Sequence, residues 1–497
     1  MKPLSATLPT DEKWAARLER LLVGGFSEAI LEATVLAPDK TELFKCPGVL
    51  EVENGKWILR LFRRKGSKGL GHFMRPELPV NATYGKEDRF SAVLQLSDHT
   101  EATLEGIWPT NSSISGPNSW YHETRHQAHL LTTKPRENPV CALDPNKPWT
   151  ESCVHGFIPG VKLPYSLRDG AKWALELPVI GERSLSRTVW ADQREEWNWL
   201  AVDDDRGLAV YIKENSGLTA KISRANFDAL LLSLGFVMGR QLRHCYAAVD
   251  YCGKELDSRE LTPPEGPGGT ILLPLIPKFA EYNPNWTHDL VRAAYDFLTN
   301  RELPIVRLVT NCMLQVYRSA HPVVPTDTQM LVLCARLEKL VKVLACASKY
   351  TPASYLTSKP KKSLKGMEAV KRRAMWRHVA SILDISWGNG MKSVHSSWER
   401  CRHALAHGDP EVFANMNPDE AFRHMYRLQG GFNALLAGIF RCQTAIRISP
   451  MEPDLEARVQ FTIKAMGDQE WDRRIVSTLH AVTSKTAGYS GDTNQDT

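Results

Sequence analysis

The chain has no apolar run long enough to span a membrane. Its longest nearly apolar stretches, Ala229–Met238 and Ile271–Ile276, fall short of the roughly 20 residues that a bilayer demands of a helix. Met1 to Trp14 carries two lysines, two prolines and an Asp-Glu pair rather than a charged end followed by an apolar core. No secretory signal is therefore expected there, and the expected compartment is the cytoplasm. Cysteine occurs ten times but never as CxxC, the closest pair being Cys245 and Cys252. That spacing argues against thioredoxin-like and paired zinc-ribbon sites and leaves mostly buried, reduced thiols. With 43% hydrophobic and 24% charged residues over 497 positions, the chain is neither fibrous nor wholly disordered, and it is long enough for two domains with separate cores.

Acidic residues are scarce in one segment. Residues 301–400 hold 17 Lys or Arg against 6 Asp or Glu, whereas the whole chain carries only +6. Lys359, Lys361, Lys362, Lys365, Lys371, Arg372, Arg373 and Arg377 face only Glu368. Such a block is either a solvated helix face or a surface that binds polyphosphate by displacing counterions.

Strand signals concentrate before that segment. Val49–Val52 and Trp57–Phe62 flank Asn54-Gly55, the strongest short hairpin signal. Further strand-like runs follow at 91–96 and 103–107, with another pair expected around the acidic turn between Glu196 and Tyr211. An antiparallel sheet or barrel accommodates them. Residues 133–180 are dense in Pro, Trp and Gly, and Ser223–Val249 reads as the first long helix, with Ser as its cap. The Pro- and Gly-rich run within Leu261–Gly269 marks a domain boundary. Beyond it, apolar residues at three- and four-residue intervals predict helices at Trp286–Thr299, Pro304–Ser319, Thr326–Lys349, Leu364–Trp387, His395–His407 and Pro418–Ile446. Leu331, Cys334, Leu337, Leu340, Val341 and Leu344 form one such stripe. The economical packing is an all-α bundle. A polar tail at 484–497 reads as disordered.

Within the bundle lies Trp398-Glu399-Arg400-Cys401-Arg402-His403-Ala404-Leu405-Ala406-His407-Gly408-Asp409. An Arg followed at the fifth position by His is weak on its own, and Arg373 with His378 gives a second match. Arg402, however, precedes a polar residue and a small apolar patch, and His407 precedes Gly408, a favoured residue just past a helix end. The words Arg402-His403-Ala404-Leu405-Ala406-His407-Gly408 resemble the motif of the HEPN ribonuclease superfamily: Arg, a polar residue, three variable residues and His near the end of a helix in a bundle. Together with Leu337-Glu338 upstream, the chain looks most like the ApeA-type abortive-infection proteins of that superfamily.

The resemblance implies an α+β chain of two domains. A β-rich sensor or regulatory domain at 1–275 would precede an all-α HEPN-like nuclease bundle at 285–450. It also implies a homodimeric, cytoplasmic endoribonuclease that needs no cofactor or metal, acting as a toxin or in anti-phage defence under a phage-derived trigger. RNA, tRNA among the candidates, would be the substrate, and the products would carry a 2′,3′-cyclic phosphate and a 5′-hydroxyl. The residue chemistry is compatible. RNA supplies its own nucleophile, the 2′-hydroxyl. His407 titrates near neutral pH, and the Arg402 fork matches phosphate oxygens. His403 is a second proton carrier or phosphate contact, Glu338 the counter-ion that orients Arg402, and Lys371, Arg372, Arg373 and Arg377 an RNA-binding face. On an ideal helix, residues five apart lie about 140° around and about 7.5 Å along the axis. Arg402 and His407 therefore meet only where the helix ends or across a dimer.

Three other readings compete. Arg402 can simply pair with Glu399 or Asp409 while the histidines cap the helix. His122-Glu123-Thr124-Arg125-His126 is a literal HExxH, which on a short helix would serve a zinc metallohydrolase, with His129, Cys141, Cys153 or His155 as further ligands. The bundle can also bind RNA or nucleotides without cutting, as degenerate HEPN domains do.

Overall fold

The computed structural model describes residues 12–64, 90–114, 121–128, 130–133, 153–163, 189–193, 197–204, 206–214, 220–251, 255–264, 286–300, 304–320, 324–348, 350, 364–406, 416–460, 470–471 and 473–478. The fold is mixed α/β with a large antiparallel sheet. The chain divides into two compact units, one of residues 1–228 and 243–267, the other of 229–242 and 268–497. The tail at 484–497 and most of residues 133–180 lie outside the described residues.

In the first unit, helix α1 (Glu12–Val23) is followed by β1 (Ser27–Leu36), β2 (Glu42–Glu53), β3 (Lys56–Arg64), β4 (Phe90–Leu96), β5 (Glu101–Ile114), β6 (Tyr121–Ala128) and β7 (Leu130–Thr133). The β2–β3 hairpin turns at Asn54 (φ 50°) and Gly55 (φ 70°), the left-handed pair that the sequence leads one to expect. The strands run β4-β1-β2-β3-β6-β5, and β4 also pairs with β5, which closes the ring. Strand β5 makes this possible by bending: residues 101–107 pair with β4 and residues 108–114 with β6. From β7 the sheet continues openly through β13 (Glu255–Leu261), β12 (Tyr246–Tyr251), β8 (Val154–Pro159), β11 (Gly207–Glu214), β10 (Trp197–Asp204) and β9 (Val189–Gln193).

Helix α1 places Trp14, Leu18 and Leu21 in one core with Leu50, Trp57, Leu59, Leu94 and Leu104. Arg17, on the same helix, is buried against Glu28, which it grips through Nε at 3.0 Å and Nη2 at 2.7 Å, and its Nη2 also lies 2.9 Å from Asp98. Burial raises the Asp98 carboxyl, but hydrogen bonds from Thr100 and the Arg17 charge outweigh it and bring it down to about 2.

Helix α2 (Ala220–Met238) contains the division between the units. It stops well before the expected Val249, which instead lies in β12. The physical reason is Gly239 at φ 66°, with Gly239 N–H donating to Phe236 C=O and Arg240 N–H to Gly235 C=O, a Schellman end.

The second unit carries α3 (Trp286–Thr299), α4 (Pro304–Ser319), α5 (Thr326–Ala347), α6 (Leu364–Ile382), a kinked turn (Trp387–Met391), α7 (Lys392–Ala406) and α8 (Pro418–Ile439). Helix α5 is central, touching α4, α6, α7 and α8. Of its expected stripe, Cys334, Leu337, Leu340, Val341 and Leu344 are buried, while Leu331 is exposed and Met330 and Leu333 take the inner positions. The unit is not all-α. Thr444–Arg447 (β14) pairs with Glu456–Val459 (β15), so Ile446 lies in a strand rather than in the last helix. Glycines let α8 approach its neighbours: a Cβ on Gly430 would lie 2.6 Å from the Ile448 backbone, and one on Gly431 2.3 Å from the Val394 side chain.

Candidate nuclease site

Helices α5 and α7 are joined by Trp398, a buried side chain whose Nε1 donates to the Cys334 carbonyl at 3.2 Å. One turn on along the same face of α7 stands Arg402. Its Nε donates to Glu338 Oε2 at 2.6 Å, and its guanidinium carbon lies 5.4 Å from the centre of the Trp398 ring. The other Glu338 oxygen takes Lys342 Nζ at 2.6 Å, one turn along α5. Burial raises the Glu338 carboxyl, but hydrogen bonds from Lys342 and Arg402, and the two positive charges, overcome this and hold it below the ordinary glutamate range. Glu338 is therefore an anion that fixes two cations. Arg402 is 39% exposed, and among the described residues its Nη1 and Nη2 make no hydrogen bond. A guanidinium held through Nε and backed by an indole keeps its outer fork for an oxyanion such as phosphate.

Arg402 and Glu338, expected as partners, are thus in direct contact. Glu399, the alternative partner for Arg402, instead faces His395 at 3.9 Å and Arg372 at 3.7 Å. His403 lies in the last turn of α7, which ends at Ala406, and its side chain is outside the described set. His407 and Asp409 lie outside the described residues altogether.

Helix α6 presents the basic group unevenly. Lys371, Arg373 and Arg377 are exposed, whereas Arg372 is half-buried and turns toward Glu399. The expected four-residue face therefore reduces to three outward cations, because position 372 falls on the inner side with Trp376. Arg377 lies over the Trp387 ring at 5.8 Å.

Sequence reading missed the aromatic part of this region. His395 sits among Trp376, Trp387 and Trp398, with ring centres 5.7, 6.0 and 5.8 Å away. Burial first, then the charges of Arg373 and Arg372, push its imidazole down to about 4. It is neutral at physiological pH and poorly suited to carry a proton. The signal was present in the spacing of His395, Trp398 and Arg402 along one helix face. The second Arg-to-His match separates: Arg373 points outward, while His378 Nε2 meets Ser348 Oγ at 2.6 Å. Cys334 and Cys401 are inert thiols, burial pushing Cys401 up to about 12 and Cys334 well above its usual range.

The HExxH sequence lies on β6, paired with β3 from Trp57↔Ala128 to Arg64↔Tyr121, and not on a short helix. A strand rises about 3.3 Å per residue, so positions 122 and 126 lie about 13 Å apart along it, whereas the motif needs them one helical turn apart. The strand forms because its backbone completes the closed ring. His129 and Cys141 lie outside the described residues. Cys153 Sγ is 3.7 Å from His155 Nδ1, and burial, with the Arg259 charge, takes the His155 imidazole down to about 3. Among the described residues no group of three metal-binding side chains converges. Comparison with protein-family models, with curated proteins and with solved structures yielded no match to this chain.

Proposed function

We propose that this chain is a metal-independent endoribonuclease of the HEPN type, acting as a toxin or in abortive infection against phage. The observation that carries the reading is the presentation of Arg402: Glu338 holds it by Nε, Trp398 backs it, the side chain is 39% exposed, and among the described residues its outer nitrogens take no hydrogen bond. In this reading Arg402 grips the scissile phosphate. His407 takes the 2′-hydroxyl proton, the 2′-oxygen bonds to phosphorus, and the P–O5′ bond breaks. A second proton carrier, His403 or His407 of a second copy, protonates the leaving 5′-oxygen. The products are a 2′,3′-cyclic phosphate and a 5′-hydroxyl. Glu338 acts through Arg402 as a positioning residue. The homodimer, which the HEPN resemblance implies, brings two helix ends together and so overcomes the unfavourable five-residue spacing on one helix.

The test is incubation with total RNA in EDTA, with cut positions and end groups mapped. Wild-type protein is expected to cleave without metal and leave cyclic-phosphate ends. Arg402→Ala and His407→Ala should each lose about 10²–10³ in kcat, the usual effect of removing one transition-state contact. Unchanged cleavage by both variants removes the reading. RNA bound tightly but never cut would leave a non-catalytic RNA-binding bundle. For a toxin, growth arrest on expression should disappear with His407→Ala.

A further inference from the structure

We propose that Trp387, with Arg377, forms a base-stacking seat for single-stranded RNA beside Arg402, so that the substrate is read as an unpaired strand. This rests on the RNA reading of the same site. Trp387 opens the kinked turn Trp387–Met391 that leads into α7, its backbone leaving helical geometry at Gly388 (φ 11°, ψ −149°). The turn is pinned from behind. A Cβ on Gly390 would lie 2.4 Å from the Glu456 carbonyl oxygen, and Ser386 N–H donates to Arg458 C=O at 2.9 Å, so hairpin β14–β15 fixes it.

Trp387 is half-buried, with the His395 ring centre 6.0 Å from its own and the exposed Arg377 guanidinium over its ring at 5.8 Å. At that separation a long exposed side chain can yield its place. A base then packs on the indole while Arg377 turns its fork to the adjoining phosphate. Lys371, Arg373 and Lys392 are exposed on the same two helices and supply the surrounding positive charge.

The seat and the phosphate grip are joined by one row of contacts: Trp387 to His395, His395 to Trp398, and Trp398 to Arg402. His395 and Arg402 are seven residues apart on α7, about 10 Å along the axis. A base seated at Trp387 therefore leaves a short run of backbone to reach Arg402. A duplex keeps its bases paired and cannot occupy such a seat, so the arrangement selects loops, bulges and unpaired ends.

The experiment measures binding of full-length protein to a short single-stranded RNA, to the same strand annealed to its complement, and to the strand with abasic sugars replacing its bases. Wild-type protein should prefer the intact single strand over both others. Trp387→Ala should weaken single-strand binding about tenfold, in line with loss of one base-aromatic stack, and leave duplex and abasic binding unchanged. Trp387→Phe should retain most of the affinity, and it keeps the ring in the packed turn should the alanine variant fail to fold. Equal wild-type affinity for intact and abasic strands, or an equal loss on single strand and duplex in Trp387→Ala, overturns the seat while RNA binding stands. Absence of any salt-sensitive RNA binding by wild-type protein overturns both.

Discussion

His395 is held neutral by its surroundings, and that has a measurable consequence for stability. Trp376, Trp387 and Trp398 surround it, Glu399 lies 3.9 Å from Nδ1, and Arg372 and Arg373 oppose a further positive charge. Its folded value of about 4 lies below the roughly 6.5 of an unfolded histidine. The unfolded chain therefore takes up a proton in that window and the folded chain does not. Stability is full above the unfolded value and is lost as pH falls toward the folded one. Between about pH 7 and about pH 5 the loss amounts to about 2 kcal/mol. Urea unfolding at these two pH values should show a smaller drop for His395→Phe than for wild type by that amount. Equal drops would mean that the imidazole is not excluded from water as its packing indicates. At this scale the sequence made Arg402 and Glu338 visible as partners, because a motif named one and a charge of opposite sign was available for the other. Trp398 and Lys342 complete the cluster by simple i, i+4 geometry, a signal that a motif search centred on Arg and His passes over.

Helix ends show why some boundaries were readable and others were not. Helix α2 ends on Gly239, α6 on Asp384 (φ 52°) and α8 on Arg441 (φ 63°), each with the same pair of hydrogen bonds donated by the left-handed residue and the residue after it. Only the first bears glycine, the residue that reaches the left-handed region without a Cβ penalty. It was a stop sign overrun by the apolar run through Val249. Asp384 and Arg441 carry no such sign, so apolar spacing alone runs the last helix on into β14 and α6 on to Trp387, in the kinked turn. The same logic predicts opposite effects of two substitutions. Gly239→Ala should destabilise by about 1–2 kcal/mol, whereas Asp384→Gly should stabilise by up to about 1 kcal/mol, because each adds or removes a Cβ at positive φ. Chemical denaturation of both variants checks this, and a shift of the same sign in both would refute it. The HExxH segment taught the converse lesson. Its spacing fits a helix, but pairing with β3 over its whole length decides its conformation, and such a non-local partner is invisible to a local pattern.

Across the whole molecule, the expected antiparallel sheet or barrel is present as a ring closed through β4 and β5, though closure depends on the bend in β5 and has no local signature. The charge asymmetry was legible directly: residues 301–400 carry the positive excess. Composition could not tell which of these cations face outward. Burial separates Lys371, Arg373 and Arg377, which are exposed, from Arg372, which is committed to Glu399 beside His395. If RNA lies on this face, each exposed cation that neutralises a phosphate releases counterions and contributes about 0.7 to the slope of log affinity against log salt for a single strand. Combined Lys371→Gln, Arg373→Gln and Arg377→Gln substitution should therefore flatten that slope by about 2, without altering the unfolding midpoint beyond the small effects typical of surface changes. Arg372→Gln should do the reverse, leaving the slope unchanged while lowering stability, because Glu399 loses a partner next to the tryptophan-enclosed imidazole. Anisotropy titrations over a range of salt, paired with denaturation of the same proteins, measure both quantities. A slope that Arg372→Gln flattens as much as the exposed substitutions do would mean that RNA reaches the inner side of α6, and that the outward face is only solvated charge.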